Sequence, residues 1–388
     1  MRVWHRGLDG IHAFYANGLL RSLYSAMTSI FIPLFLYSLT SSLWAVIFYY
    51  IAQRIVVIIA LFPISKMIEK IGFRHSIMVS VLFLVGNTIC LYLAKDNFNF
   101  VYLAVLFEGL QVPIYWVSRD SALSQDIGGK EMGKSMGYLT VLENIASLLG
   151  PFVGGVIVAT AGYKALFVFA TLILVLSLIP LWNMPSHTHK NGVSLKGFWY
   201  FLTNGRYLHQ AVGNFGAAMN DYGTRVIWPL ILLFQGIKDE KLGAIYSMVA
   251  VVAIAMQYVT GPWFDRLRAR HNYDDEGVYG FATVGVSIMW VARYFAHGIA
   301  QILPLDIFRQ LFGSVQANFF ADYLHLGGKR MGSIAFWVYM EIIYSMGAIL
   351  MFSVMGLGIY LGIWKELVIG TIALWSLASI VMARESNL

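Results

Sequence analysis

The chain has 388 residues, of which 59% are hydrophobic, 15% aromatic and only 12% charged, with a mean hydropathy of +0.68 and a formal net charge of +7. A water-soluble domain carries about 25% charged residues, so this composition excludes one and puts the chain in lipid. The positive excess is spread over short segments between apolar runs, with no basic domain to grip a duplex, and nucleic acid is excluded as a partner.

A run of roughly 20 apolar residues crosses about 30 Å of hydrocarbon, and the sequence predicts twelve. The first six cover 12–38, 43–65, 76–94, 100–122, 136–159 and 164–182. The first of them is too long, and too polar at its start, for a cleaved signal, and reads as a span. The last six cover 207–235, 243–263, 278–296, 300–323, 332–356 and 364–383. Solid runs of this length argue against a barrel, whose strands alternate over about 10 residues. The expected fold class is an all-α membrane protein. The one sizeable connection holds Pro185 and the aromatic-rich stretch 195–202, which suits a segment lying flat at the interface.

With the amino terminus inside, 16 of the 27 Lys and Arg residues fall on the inner side, 5 on the outer side and 6 within spans. That bias predicts both termini in the cytoplasm. The single Cys90 lies in a span, so neither a disulfide nor a cysteine-held metal is expected. No Asn-x-Ser/Thr sequon occurs, and with the short loops this favours a bacterial inner membrane.

The two halves echo each other. Pro33 matches Pro229 and Glu69-Lys70 matches Asp265-Arg266 at an offset of 196; Glu108 matches Asp306 at 198; Gly128 and Lys130 match Gly327 and Lys329 at 199. An offset this steady predicts structural repeats.

Gly261, then Asp265-Arg266 four residues on, then Arg268 and Arg270, resembles motif A of the major facilitator superfamily. The earlier copy has Ser65, Glu69, Lys70, Gly72 and Arg74, with Ser for Gly and Glu-Lys for Asp-Arg. The resemblance implies two pseudo-symmetric six-helix bundles, here residues 1–182 and 207–388 joined by a cytoplasmic linker at 183–206, moving by alternating access. It also implies that Glu69, Lys70, Gly72, Arg74, Gly261, Asp265 and Arg266 form the gating loops. Gly137, Ala146, Gly150, Pro151, Gly154 and Gly155 are similar to motif C of its drug-exporter branch, with Ala146 replacing a Gly. Physically, small residues at 146, 150 and 154 let a neighbouring helix approach and Pro151 bends the span, which also suits ordinary helix packing.

Four predicted helices carry polar stripes at helical spacing. Helix 1 has Asn17, Arg21, Tyr24 and Thr28; helix 4 has Glu108, Gln111, Tyr115 and Arg119; helix 7 has Asn214, Asp221 and Arg225; helix 10 has Asp306, Arg309, Gly313 and Ala317. Facing lipid, the seven charges Arg21, Arg54, Glu108, Asp221, Arg225, Asp306 and Arg309 would cost about 3 kcal/mol each, together more than the ~5–15 kcal/mol that holds a fold. They are expected to face one another or water in a cavity between the halves, and in the resembled family these four helices line that cavity. Asp221 and Arg225, one turn apart, also read as a purely structural ion pair. Arg119 with Asp120, and Arg293, lie near span ends, where snorkelling or loop pairing is expected.

The expected function is secondary transport of a small organic solute, with proton-coupled efflux of amphipathic compounds as the first reading. Glu108, Asp221, Asp306 and Glu143 are the proton-coupling candidates, because partly desolvated acids take up and release protons; Glu143 reads equally as a gating residue or a loop partner. Arg21, Arg54, Arg225 and Arg309 allow another reading, an organic-anion or sugar-type carrier whose guanidiniums clamp the substrate; a lipid transporter is a third. No span has a mid-membrane His and no His-Glu-x-x-His occurs, so no enzyme is expected. The partners expected are a small-molecule substrate, protons and the lipid bilayer, for a monomer without metal or cofactor.

Overall fold

The computed structural model describes residues 2–125, 132–182, 184, 192–268, 275–331 and 333–381, which are helical nearly throughout and contain no strand. The chain opens with α1 (Arg2–Thr28) and α2 (Phe31–Thr40), then α3 (Leu43–Ala94), α4 (Phe100–Gln125), α5 (Met132–Leu176) and the short α6 (Leu178–Leu181). After α7 (Leu195–Thr203) come α8 (Gly205–Tyr222), a π-helical turn (Gly223–Ile227) and α9 (Trp228–Phe234). The chain continues through α10 (Asp239–Arg268), α11 (Asp275–Phe295), α12 (Ile299–Met331), α13 (Ser333–Leu361) and α14 (Trp364–Ala378).

Among the described residues, seven segments are long and apolar enough to cross a bilayer. Two of them, Leu43–Ala94 with 52 residues and Val141–Leu181 with 41, are far longer than one crossing needs. Within α3, Gly72 takes φ 78° and ψ 166°, outside the right-handed helix and costly for a residue with a Cβ. Tyr49 and Asn87, which a straight helix would hold about 57 Å apart, are hydrogen-bonded at 3.1 Å. So α3 is a hairpin of two helices folded at one residue. Gly162 breaks α5 in the same way, at φ 79° and ψ 174°. The sequence reading put a loop at 66–75; instead the helix runs up to Gly72 and restarts at once. Hydropathy marks where apolar side chains stop, whereas backbone hydrogen bonding continues for a further turn or two.

In the first half α3 packs on α4 and α1 on α5; in the second, α11 packs on α12 and α14, and α13 on α8 and α14. Across the seam α10 lies on α5, α13 on α3 and α4, and α2 on α9. Small residues set the closest crossings. A Cβ on Gly150 would lie 2.9 Å from the backbone of Met27, and one on Gly155 would lie 3.0 Å from the Asp239 carbonyl and 3.3 Å from the Gly243 Cα. Such contacts are made backbone to backbone. At the end of the molecule where α2 and α9 finish, aromatic pairs close the seam: Tyr37 meets Phe234 edge-on at 5.2 Å, and Tyr50 stacks on Phe352 at 5.0 Å. Each such pair contributes about 0.5–1.5 kcal/mol beyond the area it buries.

The stretch 195–202 folds as α7. Ser194 Oγ accepts the Gly197 N–H at 3.0 Å, an N-cap that starts the helix. Phe201 is fully buried against Tyr207, Phe336 and Tyr339, while Leu195, Trp199 and Tyr200 stay exposed. The Tyr339 hydroxyl donates to the Ser194 carbonyl at 2.9 Å and accepts its N–H at 3.1 Å, tying the start of α7 to α13.

A candidate substrate cavity between the halves

A cavity of about 710 Å³ lies at the seam, walled by α1, α3, α4 and α5 on one side and by α8, the π-helical turn and α13 on the other. On the first wall the i, i+3 step from Glu108 to Gln111 puts both side chains on one face of α4. Gln111 Nε2 donates to Glu108 Oε1 at 2.9 Å, and Asn87 Nδ2 donates to Glu108 Oε2 at 3.0 Å. Arg21 Nη1 donates to Ser80 Oγ at 3.3 Å and Nη2 to Gln111 Oε1, with the guanidinium 3.5 Å above the Tyr115 ring. Gln111 therefore stands between the arginine and the acid.

On the second wall α8 ends in the π-helical turn, an irregularity found most often at functional sites. Arg225 sits in this turn and pairs with Asp221, which also accepts the Tyr344 hydroxyl. Arg54 crosses the seam. From α3 its Nε donates to Tyr222 Oη at 2.5 Å and its Nη1 to Glu341 Oε1 at 2.7 Å and Ser345 Oγ at 3.3 Å, the last two on α13. Toward the far end of α4, Arg119 bonds to Asp120 at 3.0 Å and to Glu143 on α5, and lies 5.0 Å from the Trp116 ring.

Of the side chains the sequence put in or near a cavity, Arg21, Tyr24, Arg54, Glu108, Gln111, Tyr115, Glu143, Asn214, Asp221 and Arg225 line this one. Asp306 and Arg309 do not, and here the sequence reading is corrected. Asp306 Oδ1 accepts Arg293 Nε at 2.8 Å and Nη2 at 2.6 Å, and its Oδ2 accepts the Trp228 indole N–H at 3.0 Å. Arg293 is 1% exposed and does not snorkel, because the Trp228 and Trp290 rings lie 4.4 Å and 4.3 Å from its guanidinium and replace water at its faces. Arg309 is 8% exposed, and the hydrogen bond it makes is a long one of 3.4 Å to Gln310. Asn17 also leaves the expected stripe: it donates to the Ser177 carbonyl at 2.9 Å and pins α1 at the end of α5.

Glu69, Lys70, Gly72 and Arg74, expected to form a gating loop, lie at the fold of the α3 hairpin, away from the cavity, and Arg74 Nη1 donates to the Met184 carbonyl at 3.2 Å. Gly261, Asp265, Arg266 and Gly137 lie outside the residues whose side chains are described. Ala146, Gly150, Pro151, Gly154 and Gly155 are buried along α5. Gln53, Tyr222, Glu341 and Tyr344 line the cavity and were missed. Glu341 is the single charge in the run 332–356, and the cost of a charge in lipid, applied there too, would have found it.

Among the described residues the cavity presents five carboxylates, Glu108, Asp120, Glu143, Asp221 and Glu341, to three guanidiniums, those of Arg21, Arg54 and Arg225. Arg119, bonded to two of the acids, makes a fourth cation. Every acid but Glu108 has a guanidinium in direct contact.

An ionic chamber at the seam of an otherwise apolar helical chain defines a multi-pass membrane transporter. The profile of the Major Facilitator Superfamily matches residues 14–352, and the chain belongs to that superfamily. Comparison with curated proteins finds no match. Among solved structures, the human organic anion transporter MFSD10 (TETRAN) superposes with a TM-score of 0.71 at 11% identity, over 97% of this chain and 99% of that one. A bacterial homologue of the iron transporter ferroportin, outward-facing with soaked iron, gives 0.71 at 13% identity over 97% and 99%. A POT family transporter in complex with 5-aminolevulinic acid gives 0.72 at 10% identity over 96% and 95%. Identities this low establish the common fold and leave the substrate open. By family the protein is a transporter of small molecules and not an enzyme.

Proposed function

We propose that the protein is a proton-coupled exporter of amphipathic organic cations and weak bases. The observation that carries this is the charge of the chamber: five carboxylates against four guanidiniums, with Glu108 held by amides alone. A net negative chamber must take up a cation before its water is expelled, since an uncompensated buried charge is costly. A proton on Glu108 meets that need, and so does a cationic substrate. The two therefore exclude each other, which is the condition for exchange. Tyr24, Tyr49, Tyr50, Tyr115, Trp116, Tyr222, Trp337 and Tyr344 give the apolar part of the substrate aromatic faces to lie on. The anion-carrier reading is disfavoured, because Arg21, Arg54 and Arg225 are already engaged by protein acceptors.

The same reading takes the α3 and α5 hairpins as two spans each. With α1–α2, α4, α8 to α9 and α10 to α14, this makes twelve spans in two bundles, 1–182 and 207–388, around the linker 183–206. The Lys and Arg bias supports an inner-membrane orientation with both termini in the cytoplasm. The end sealed by Tyr37 and Phe234 is then the outer one, and the chamber, with Asp120 and Glu143 toward its other end, faces the cytoplasm. Rocking of the halves would open the outer end, and Glu341 would exchange partners as Arg54 slides past it.

Reconstituted protein tests this. Tetraphenylphosphonium should move against an imposed proton gradient while benzoate does not, and Glu108→Gln should reduce the gradient-driven flux at least tenfold while leaving substrate counterflow intact. Benzoate transport in place of tetraphenylphosphonium transport would reject the proposal.

A further inference from the structure

A second cavity, of about 610 Å³, lies at the closed end of the molecule, wholly within the second half and apart from the central chamber. It is framed by the ends of α9 and α11, the turn before α12 and the start of α14; its polar side chains are Gln235, Arg293, Tyr294, His297, Lys365 and Glu366. Two of these carry buried atoms with no hydrogen-bond partner. Arg293 spends Nε and Nη2 on Asp306 and lies over two indole rings, leaving Nη1 unpaired although the residue is 1% exposed. Gln235 donates Nε2 to the Ala296 carbonyl at 3.0 Å, which fixes its amide orientation, and its Oε1 has no donor. A buried polar group without a partner costs about 1–3 kcal/mol, and more for a charged one.

Two residues that line the same cavity thus carry an unpaired cationic donor and an unpaired neutral acceptor, with Lys365 and His297 as further positive or positive-capable groups. Glu366 is the one acid in the lining, and its Oε1 is taken by the Tyr294 hydroxyl at 3.0 Å. The complement of this set is an anionic oxygen for Arg293 and Lys365 together with a neutral O–H for Gln235. An ammonium in place of the hydroxyl would meet Lys365 and Arg293 as like charges. We infer that this cavity binds a small hydroxycarboxylate at the end of the transporter opposite the mouth of the central chamber. The inference stands on the second cavity alone and is independent of the exporter reading.

Calorimetric titration of the purified full-length protein in lipid nanodiscs tests it, with L-lactate as probe and acetate and choline for comparison. Lactate should bind saturably at one site per chain, at least tenfold more tightly than acetate, and choline should not compete. Lys365→Gln, at the rim, should weaken lactate at least fivefold, and Gln235→Met at least tenfold, while Glu108→Gln in the other cavity leaves lactate affinity unchanged. Should Gln235→Met not fold, Lys365→Gln carries the test by itself. Absence of saturable lactate binding, acetate binding as tightly as lactate, or loss of lactate binding in Glu108→Gln with retention in Lys365→Gln would each overturn the inference.

Discussion

Glu108 and Asp306 stand 198 residues apart, at positions the sequence offset pairs, yet they have opposite surroundings. Asp306 receives three hydrogen bonds from an arginine and an indole and is shut in among apolar rings. Glu108 receives two amide hydrogen bonds and borders the chamber. Charge-assisted bonds are roughly twice as strong as neutral ones, so the first acid is tied into the scaffold by its arginine, and the second is held by neutral amides at the edge of the chamber. Two acids that the sequence offset pairs thus differ through their neighbours alone.

The largest effect is expected where the scaffold member is broken. Asp306→Asn strands the Arg293 guanidinium and should cost about 3–5 kcal/mol, read as a lowered unfolding midpoint in nanodiscs; adding Arg293→Met should recover much of the loss. Equal stability of Asp306→Asn and wild type would erase the contrast. Glu341→Gln, which weakens the cross-seam bond of Arg54, should cost about 1.5–3 kcal/mol by the same measurement. Glu108→Gln should change stability by only about 1 kcal/mol, its effect appearing in flux instead.

The smallest effect is a pH dependence outside the spans, at a third acid with an intermediate environment. Asp239, at the start of α10, accepts the Tyr163 hydroxyl at 2.9 Å across the seam. Burial pushes its carboxyl above the ordinary range, partly offset by that hydrogen bond. A raised value in the closed state means that closing takes up a proton. The resulting stabilisation of the closed end is complete below the ordinary carboxylate value and is lost as pH rises through the raised one. Spin labels at Tyr37 and Phe234, on Tyr37→Cys and Phe234→Cys in a background without Cys90, should report a closed end that opens modestly as pH rises through that window, and Asp239→Asn should remove the dependence.

The sequence made much of this site legible, because a charge in an apolar run is conspicuous whatever the fold. Arg21, Glu108, Asp221 and Arg225 stood out for that reason, and so did the family, through the residues around Asp265 and Gly150. The fate of Asp306 was not legible. It depends on Trp228 and Trp290, which in sequence are indistinguishable from ordinary core aromatics, and on Arg293, whose place near a span end suggested the opposite direction. The extent of the helices was hidden for a different reason: the charged stretch 66–75 reads as a loop, whereas the helix runs on to Gly72 and restarts at once, so one residue makes the fold. The interfacial segment 195–202 was visible as an aromatic cluster, but its tie to Tyr339 joins residues 145 apart and no local pattern carries it.

If the halves rock as proposed, the crossing of Gly155 with Gly243 is shaped to act as a bearing. No side chain lies between the two backbones there, so one helix can pivot over the other without any rotamer having to flip and without opening a void. Resistance to that pivot then comes from the aromatic pairs, the Arg54 bonds and the Tyr163–Asp239 hydrogen bond, where a ligand or a proton is in a position to release it.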